Sequence, residues 1–267
     1  MKRIIAEIPN LITLGNLLCG SLAIIALFQG YWYLAALLIV LAAVLDFLDG
    51  FAARLLKVSG PFGKELDSLA DMVSFGLAPG IMMYQMLISA TAPLMWDQFN
   101  PDGTLALQQS DYPQWLPFLA MFIPLMSAYR LAKFNLDTRQ TDSFIGLATP
   151  SNTLLILSIL LCRAFVLDPA VLMGGGIDPL IFFWGTTIGS NPYILLAISF
   201  VFGILLVSEI PLFALKFKSF GWKGNEIRFV FLALSLLLLI IFQYGGAPFI
   251  IPLYIILSLL NNLFSHK

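Results

Sequence analysis

Apolar runs long enough to cross a bilayer recur along nearly the whole chain, and no other property restricts its fold so severely. In hydrocarbon every backbone N–H and C=O must find a partner inside the protein, and a helix provides one for each. Polar or Gly/Pro punctuation divides the runs into about eight predicted helices: residues 10–29, 32–56, 65–90, 114–136, 148–168, 192–217, 226–243 and 247–262. With 60% hydrophobic and only 11% charged residues, and a mean hydropathy of +0.92, a water-soluble domain is excluded, since soluble surfaces carry about twice that charge. The expected fold is all-α, a polytopic bundle of membrane helices. Leu11 to Phe28 is longer than the apolar part of a cleaved signal, and Glu7 interrupts the basic start, so this run reads as a retained span.

Cations set the orientation. Under this assignment Lys2, Arg3, Arg54, Lys57, Lys64, Arg130, Lys133, Arg139, Lys216, Lys218, Lys223, Arg228 and Lys267 share one side, and Arg163 alone falls on the other. The richer side is expected to be cytoplasmic and to carry both termini. On the opposite side, residues 91–113 hold Asp97, Asp102 and Asp111, with N-P-D-G at 100–103 as a turn signal. Residues 169–191 are apolar but broken by Gly174, Gly175, Gly176 and Pro179, which suits an interfacial or re-entrant piece better than a span. No internal repeat is visible, and no nucleic-acid partner is expected; the partner surface is the lipid bilayer.

The chemistry available is narrow. Cys19 and Cys162 both sit in apolar runs, and the only histidine, His266, is next to the C-terminus. A disulfide framework, a zinc site and a histidine-dependent triad are therefore excluded, leaving carboxylates, amides, hydroxyls, Lys and Arg.

Against that background the stretch from Asp46 to Asp71 stands out, reading D-x2-D-G-x2-A-R-x8-G-x3-D-x3-D. A carboxylate inside a bilayer costs roughly 2.5–3.5 kcal/mol, so four together require a compensating partner, most simply a divalent metal. Helical geometry puts Asp46 and Asp49 roughly 60° apart on one helix and Asp67 and Asp71 roughly 40° apart on the next. Two such faces turned together make an oxygen-rich cage for one or two hard cations. Gly50 and Ala53 would let a bulky ligand approach the backbone, or serve ordinary helix packing. Arg54 could clamp a phosphate or anchor the helix end.

At Asp46, Asp49, Gly50, Ala53, Arg54, Gly63, Asp67 and Asp71 the pattern resembles that of the CDP-alcohol phosphatidyltransferase family. The resemblance implies a catalytic core of six transmembrane helices, here residues 1–218, with residues 219–267 adding two C-terminal transmembrane helices. It implies two divalent ions, Mg2+ or Mn2+, and displacement of CMP from a CDP-linked lipid by an alcohol. Asp46 and Asp67 would bridge the ions, Asp49 would bind one, and Asp71 would be both ligand and catalytic general base. Gly50 and Arg54 would contact the CDP portion, with Ala53 and Gly63 beside it. The start P-N-L-I-T-L-G-N at 9–16 resembles the family's N-terminal element, which would bring Asn10 and Thr13 to the nucleotide; capping or packing is the other reading of these two. Homodimers are common in the family.

Further segments resemble its phosphatidylserine synthase branch: F-G-K-E-L-D-S-L-A-D-M-V-S-F-G at 62–76, R-L-A-K-F-N at 130–135, F-x-G-L at 144–147 and V-S-E-I-P at 207–211. Lys133 stands where that branch often has Arg, and Ala148 where it often has Pro. The implied substrates are CDP-diacylglycerol and L-serine, with Arg130, Lys133 and Asn135 at the acceptor. A zwitterion needs a cation for its carboxylate, which Arg130 and Lys133 supply unless they only anchor the helix. Glu209 could receive the ammonium, but pairing with a neighbouring lysine is the preferred reading. The alternatives are the same reaction with inositol, inositol phosphate or glycerol phosphate, a polyprenyl transferase, and a cation transporter. Polyprenyl transferases place two acidic motifs far apart, and transporters show paired broken helices; neither pattern is visible.

Overall fold

Helices make up most of the computed structural model, which describes residues 2–58, 60–92, 111–136, 143–174, 177–215, 221–222 and 224–265. Helix α1 (Lys2–Phe28) starts ahead of the apolar run, its polar first turns extending it. Gly30, at φ 79°, allows a three-residue reversal into α2 (Trp32–Leu56), whose ends match the expectation. The two helices pack along most of their length, the most extensive helix contact among the described residues. Lys57, at φ 54°, closes α2 in a left-handed cap, its N–H donating to Ala53 and Arg54 carbonyls.

The third span is compound. Helix α3 (Pro61–Asp71) passes through a π-helical segment, Met72–Leu77, into α4 (Ala78–Thr91). Gly20 of α1 faces that segment so closely that an added Cβ would lie 2.8 Å from the Ser74 Cα, and the Ser74 hydroxyl donates to the Asn16 carbonyl at 3.1 Å. Next come a 3-10 segment (Leu116–Met121) and α5 (Phe122–Leu136), then α6 (Thr149–Leu167), the most buried span of the bundle. Helices α1, α2, α4 and α6 share one continuous core around Ala23, Ile39, Met82 and Ile156. Outward-facing Leu37, Leu55, Leu125, Ile204 and Leu263 are exposed, as lipid contact requires.

Residues 169–191 are broken as expected, into α7 (Pro169–Gly174), α8 (Pro179–Phe182) and a π-helical segment (Phe183–Ile188). The stretch Pro179–Ile188 meets α9 (Pro192–Val207) at a 91° bend. Arg163, the one cation assigned to this side, is a buried tie: it donates to Ser89 at 3.1 Å, to the Gly185 carbonyl at 3.3 Å and to Ser190.

One expectation is corrected. The helix over 192–217 ends at Val207, because Pro211 disfavours a helical Ile210. Instead Ser143–Ile145 (β1) and Pro211–Phe213 (β2) form an antiparallel ribbon, pairing Ser143 with Phe213 and Ile145 with Pro211. By length and hydropathy, five helical stretches among the described residues can cross a membrane, or six if the bent pair counts. Leu116–Leu136 is split between two helix types, and the last two expected spans fall in one apolar stretch, Glu226–Phe264. That stretch nevertheless folds back on itself. Helix α10 (Glu226–Gly246) breaks at Gln243 (φ 47°, ψ −128°) and leads through a 3-10 turn (Ala247–Phe249) into α11 (Ile250–Ser265). Phe231 and Tyr254 have ring centroids 5.6 Å apart, where 23 residues of straight helix would separate them by about 35 Å. The 100–103 turn, Asp97, Asp102, Arg139, Lys216, Lys218, Lys223, His266 and Lys267 lie outside the described residues.

Candidate active site

The end of α2 and the length of α3 bring the acidic motif together. Carboxylate oxygens of Asp46, Asp49 and Asp67 lie within 4.8 Å of one another, a set that could hold one metal ion. Carboxylates this close repel, and a hard divalent cation, which takes oxygen ligands, suits such a donor set. Asp71 stands outside that threesome but within hydrogen-bonding reach of Asp46. Helix α1 orients the acids from the side. Thr13 Oγ1 donates to Asp49 Oδ2 at 2.6 Å, and Asn16 Nδ2 faces Asp71 Oδ1 at 3.4 Å. Asn16 was not singled out from the sequence; it stands three residues after Thr13, hence on the same helical face.

Beside the acids lies a pocket of about 340 Å³. Asn10, Thr13, Gly50, Ala53, Arg54 and Gly63, the six residues expected at the CDP-lipid, all line it, and so does Lys64. A Cβ on Gly50 would lie 3.4 Å from an Arg54 guanidinium nitrogen, so that side chain folds back over the small residue toward the pocket. Asn10 donates to Glu7 at 2.8 Å, and its Oδ1 would lie 3.4 Å from a Cβ added to Gly63.

The three residues expected at the acceptor have different surroundings. Arg130 is buried, stacked 5.4 Å over the Phe134 ring and close enough to Asp71 to feel its charge. Lys133 pairs with Glu209 at 3.1 Å, the pairing preferred from sequence. Asn135 ties α5 to α3: its amide donates to Ser68 Oγ at 2.9 Å, and its carbonyl accepts from Lys64 at 3.0 Å.

The family model described as CDP-alcohol phosphatidyltransferase matches residues 6–241. The CDP-diacylglycerol–serine O-phosphatidyltransferase of Bacillus subtilis is 36% identical over 143 residues, 54% of this chain and 69% of the relative. The Helicobacter pylori protein of the same name is 28% identical over 261 residues, 96% of this chain and 91% of the relative. The archaetidylserine synthase of Methanothermobacter thermautotrophicus is 30% identical over 146 residues, 54% of this chain and 53% of the relative. The chain belongs to the CDP-alcohol phosphatidyltransferase family and is an enzyme of the phosphatidyltransferase class.

Proposed function

We propose that this phosphatidyltransferase moves the phosphatidyl group of CDP-diacylglycerol onto the hydroxyl of L-serine, giving phosphatidylserine and CMP. The observation that carries the reading is the meeting of Asp46, Asp49 and Asp67 with the pocket that Arg54 overhangs. Serine as acceptor is supported by the names of the relatives. It is also supported by the engagement of Lys133 with Glu209, since a phosphorylated acceptor would want a denser group of free cations.

In this reading Arg54 and Lys64 bind the diphosphate, Asn10 and Thr13 approach the nucleotide, and Gly50, Ala53 and Gly63 leave it room. Two Mg2+ or Mn2+ ions, held by Asp46, Asp49, Asp67 and Asp71, would neutralise the pyrophosphate and the departing CMP. Asp71 takes the serine hydroxyl proton as the new O–P bond forms and the P–O bond to CMP breaks. Asn16 holds that carboxylate in place. Leu116–Leu136 and the two arms of Glu226–Phe264 complete eight spans in this reading. Residues 1–218 are the catalytic core, 219–267 an added hairpin, and the site and both termini face the cytoplasm.

The test is CMP release by purified protein given CDP-diacylglycerol with serine, inositol, glycerol phosphate or water singly. Serine should drive release well above water. Faster release with another alcohol would reassign the acceptor, and release with none would overturn the transferase reading.

A further inference from the structure

Immediately beyond Asp71 the chain becomes π-helical, and three other helices present polar side chains to this segment, Met72–Leu77. From α1, Asn16 accepts from Ser74 through its carbonyl and faces Asp71 with its amide. From α5, the Ser127 Cβ lies 3.2 Å from where a Cβ on Gly76 would be, and Arg130 follows one turn later. From α6, Thr153 donates to the Phe75 carbonyl at 3.1 Å, with Asn152 beside it and Thr149 one turn earlier.

These side chains are buried, yet they hold polar atoms without a partner: Asn16 Oδ1, Ser127 Oγ, Arg130 Nε, Thr149 Oγ1, and both Oδ1 and Nδ2 of Asn152. Protein interiors pair nearly all such atoms, so this concentration beside one carboxylate calls for a polar occupant. Donors and acceptors are both present, which suits a molecule carrying both charges. Arg130 Nε and Asn152 Nδ2 offer hydrogens, as does the first turn of α6, whose N-cap residue Ala148 makes no side-chain capping bond. Asn16 Oδ1 and Asn152 Oδ1 offer lone pairs.

Building on the serine-transfer reading, we infer that Asn152, with Ser127 and Thr149, recognises the acceptor amino acid. Its carboxylate lies between Arg130 and the α6 N-terminus, its ammonium is accepted by the Asn152 and Asn16 amide oxygens, and its hydroxyl is left toward Asp71. Asn152, absent from the signature motif, is then a specificity-determining residue. It has both acceptor and donor atoms to offer, which an alcohol lacking either charge cannot fully use.

The test measures KM for serine and for CDP-diacylglycerol separately in wild type, Asn152→Leu and Ser127→Ala. Asn152→Leu keeps the branching of the side chain, with bulkier methyls in place of the amide atoms, and removes the polar atoms; it should raise KM for serine by about tenfold or more while KM for CDP-diacylglycerol stays within about twofold. Ser127→Ala should raise KM for serine by about threefold, and it decides the matter alone if Asn152→Leu does not fold. The enzyme's preference for serine over 3-hydroxypropanoate, which keeps the hydroxyl and carboxylate but lacks the ammonium, should fall in Asn152→Leu. An unchanged serine KM in both variants, or an equal rise for both substrates, overturns the assignment and leaves serine transfer standing. Absence of serine-dependent CMP release in the wild type overturns both.

Discussion

Replacing Asp71 by Asn separates proton transfer from binding. The side chain keeps its size and one oxygen, and that oxygen can still face Asn16 Nδ2, a contact already long at 3.4 Å. The fold should therefore change by less than about 1 kcal/mol. Metal binding at Asp46, Asp49 and Asp67 should survive, because those three carboxylates come within 4.8 Å of one another without Asp71, and the Asn that replaces it keeps one oxygen as a ligand. What disappears is a base beside the acceptor, worth about 10²–10⁴ in rate, or about 2.7–5.4 kcal/mol of barrier. One purified sample should be assayed three ways: Mn2+ binding by paramagnetic resonance, CDP-diacylglycerol binding, and turnover with radiolabelled serine. The expected result is near-normal binding of both with turnover lower by that factor. Turnover within about threefold of wild type would refute a base at Asp71. With His266 next to the C-terminus and no other histidine in the chain, a phosphate oxygen of the CDP-lipid would be the next acceptor to consider.

Asp46→Asn and Asp67→Asn should each abolish turnover and weaken Mn2+ binding while leaving a folded protein in detergent, since removing one carboxylate relieves repulsion within the cluster; activity near wild type in either would remove the metal site. Arg163→Ala deletes hydrogen bonds to Ser89, Gly185 and Ser190, so thermal melting should report a loss of about 1–3 kcal/mol with KM for serine unchanged. A cysteine replacing Lys57 should be protected from an impermeant thiol reagent in intact cells and one replacing Gln108 should label; the reverse pattern would turn the site away from the cytoplasm.

The acidic site was legible because a bilayer makes every carboxylate anomalous, and helical spacing puts Asp46 with Asp49 on one helix face and Asp67 with Asp71 on the next. The ends of α2 were legible too, set by the Gly30 turn and the basic end at Arg54 and Lys57. The Met72–Leu77 π-segment was not, since one wider turn leaves the apolar pattern of M-V-S-F-G-L intact. The ribbon was missed because the apolar run through Phe213 concealed the effect of Pro211. Arg163 was counted as a surface charge, because sequence gives its side of the membrane but not the carbonyl and hydroxyls that surround it. Asn135 lies within the acceptor-like segment R-L-A-K-F-N, yet its bonds fasten α5 to α3, a distinction that only tertiary contacts reveal.

The C-terminal hairpin holds the ribbon by hydrogen bonds to main-chain oxygens and by the Phe231 and Tyr254 rings, which pack edge-on against Phe213. Asn262 donates to the Pro211 carbonyl at 2.7 Å, Tyr254 to Phe213 at 2.8 Å, and Arg228 to Ala214 at 2.7 Å. A carbonyl is the same whatever side chain its residue bears, so these hydrogen bonds leave Pro211 and Ala214 free to drift in identity, whereas Phe213 is also held by its ring. Arg228, Tyr254 and Asn262 have no such freedom, because each must reach one fixed oxygen. Among descendants of this chain the tolerance for substitution should therefore be lopsided, wider at Pro211 and Ala214 than at Phe213 or at the three positions of the hairpin that reach a fixed oxygen.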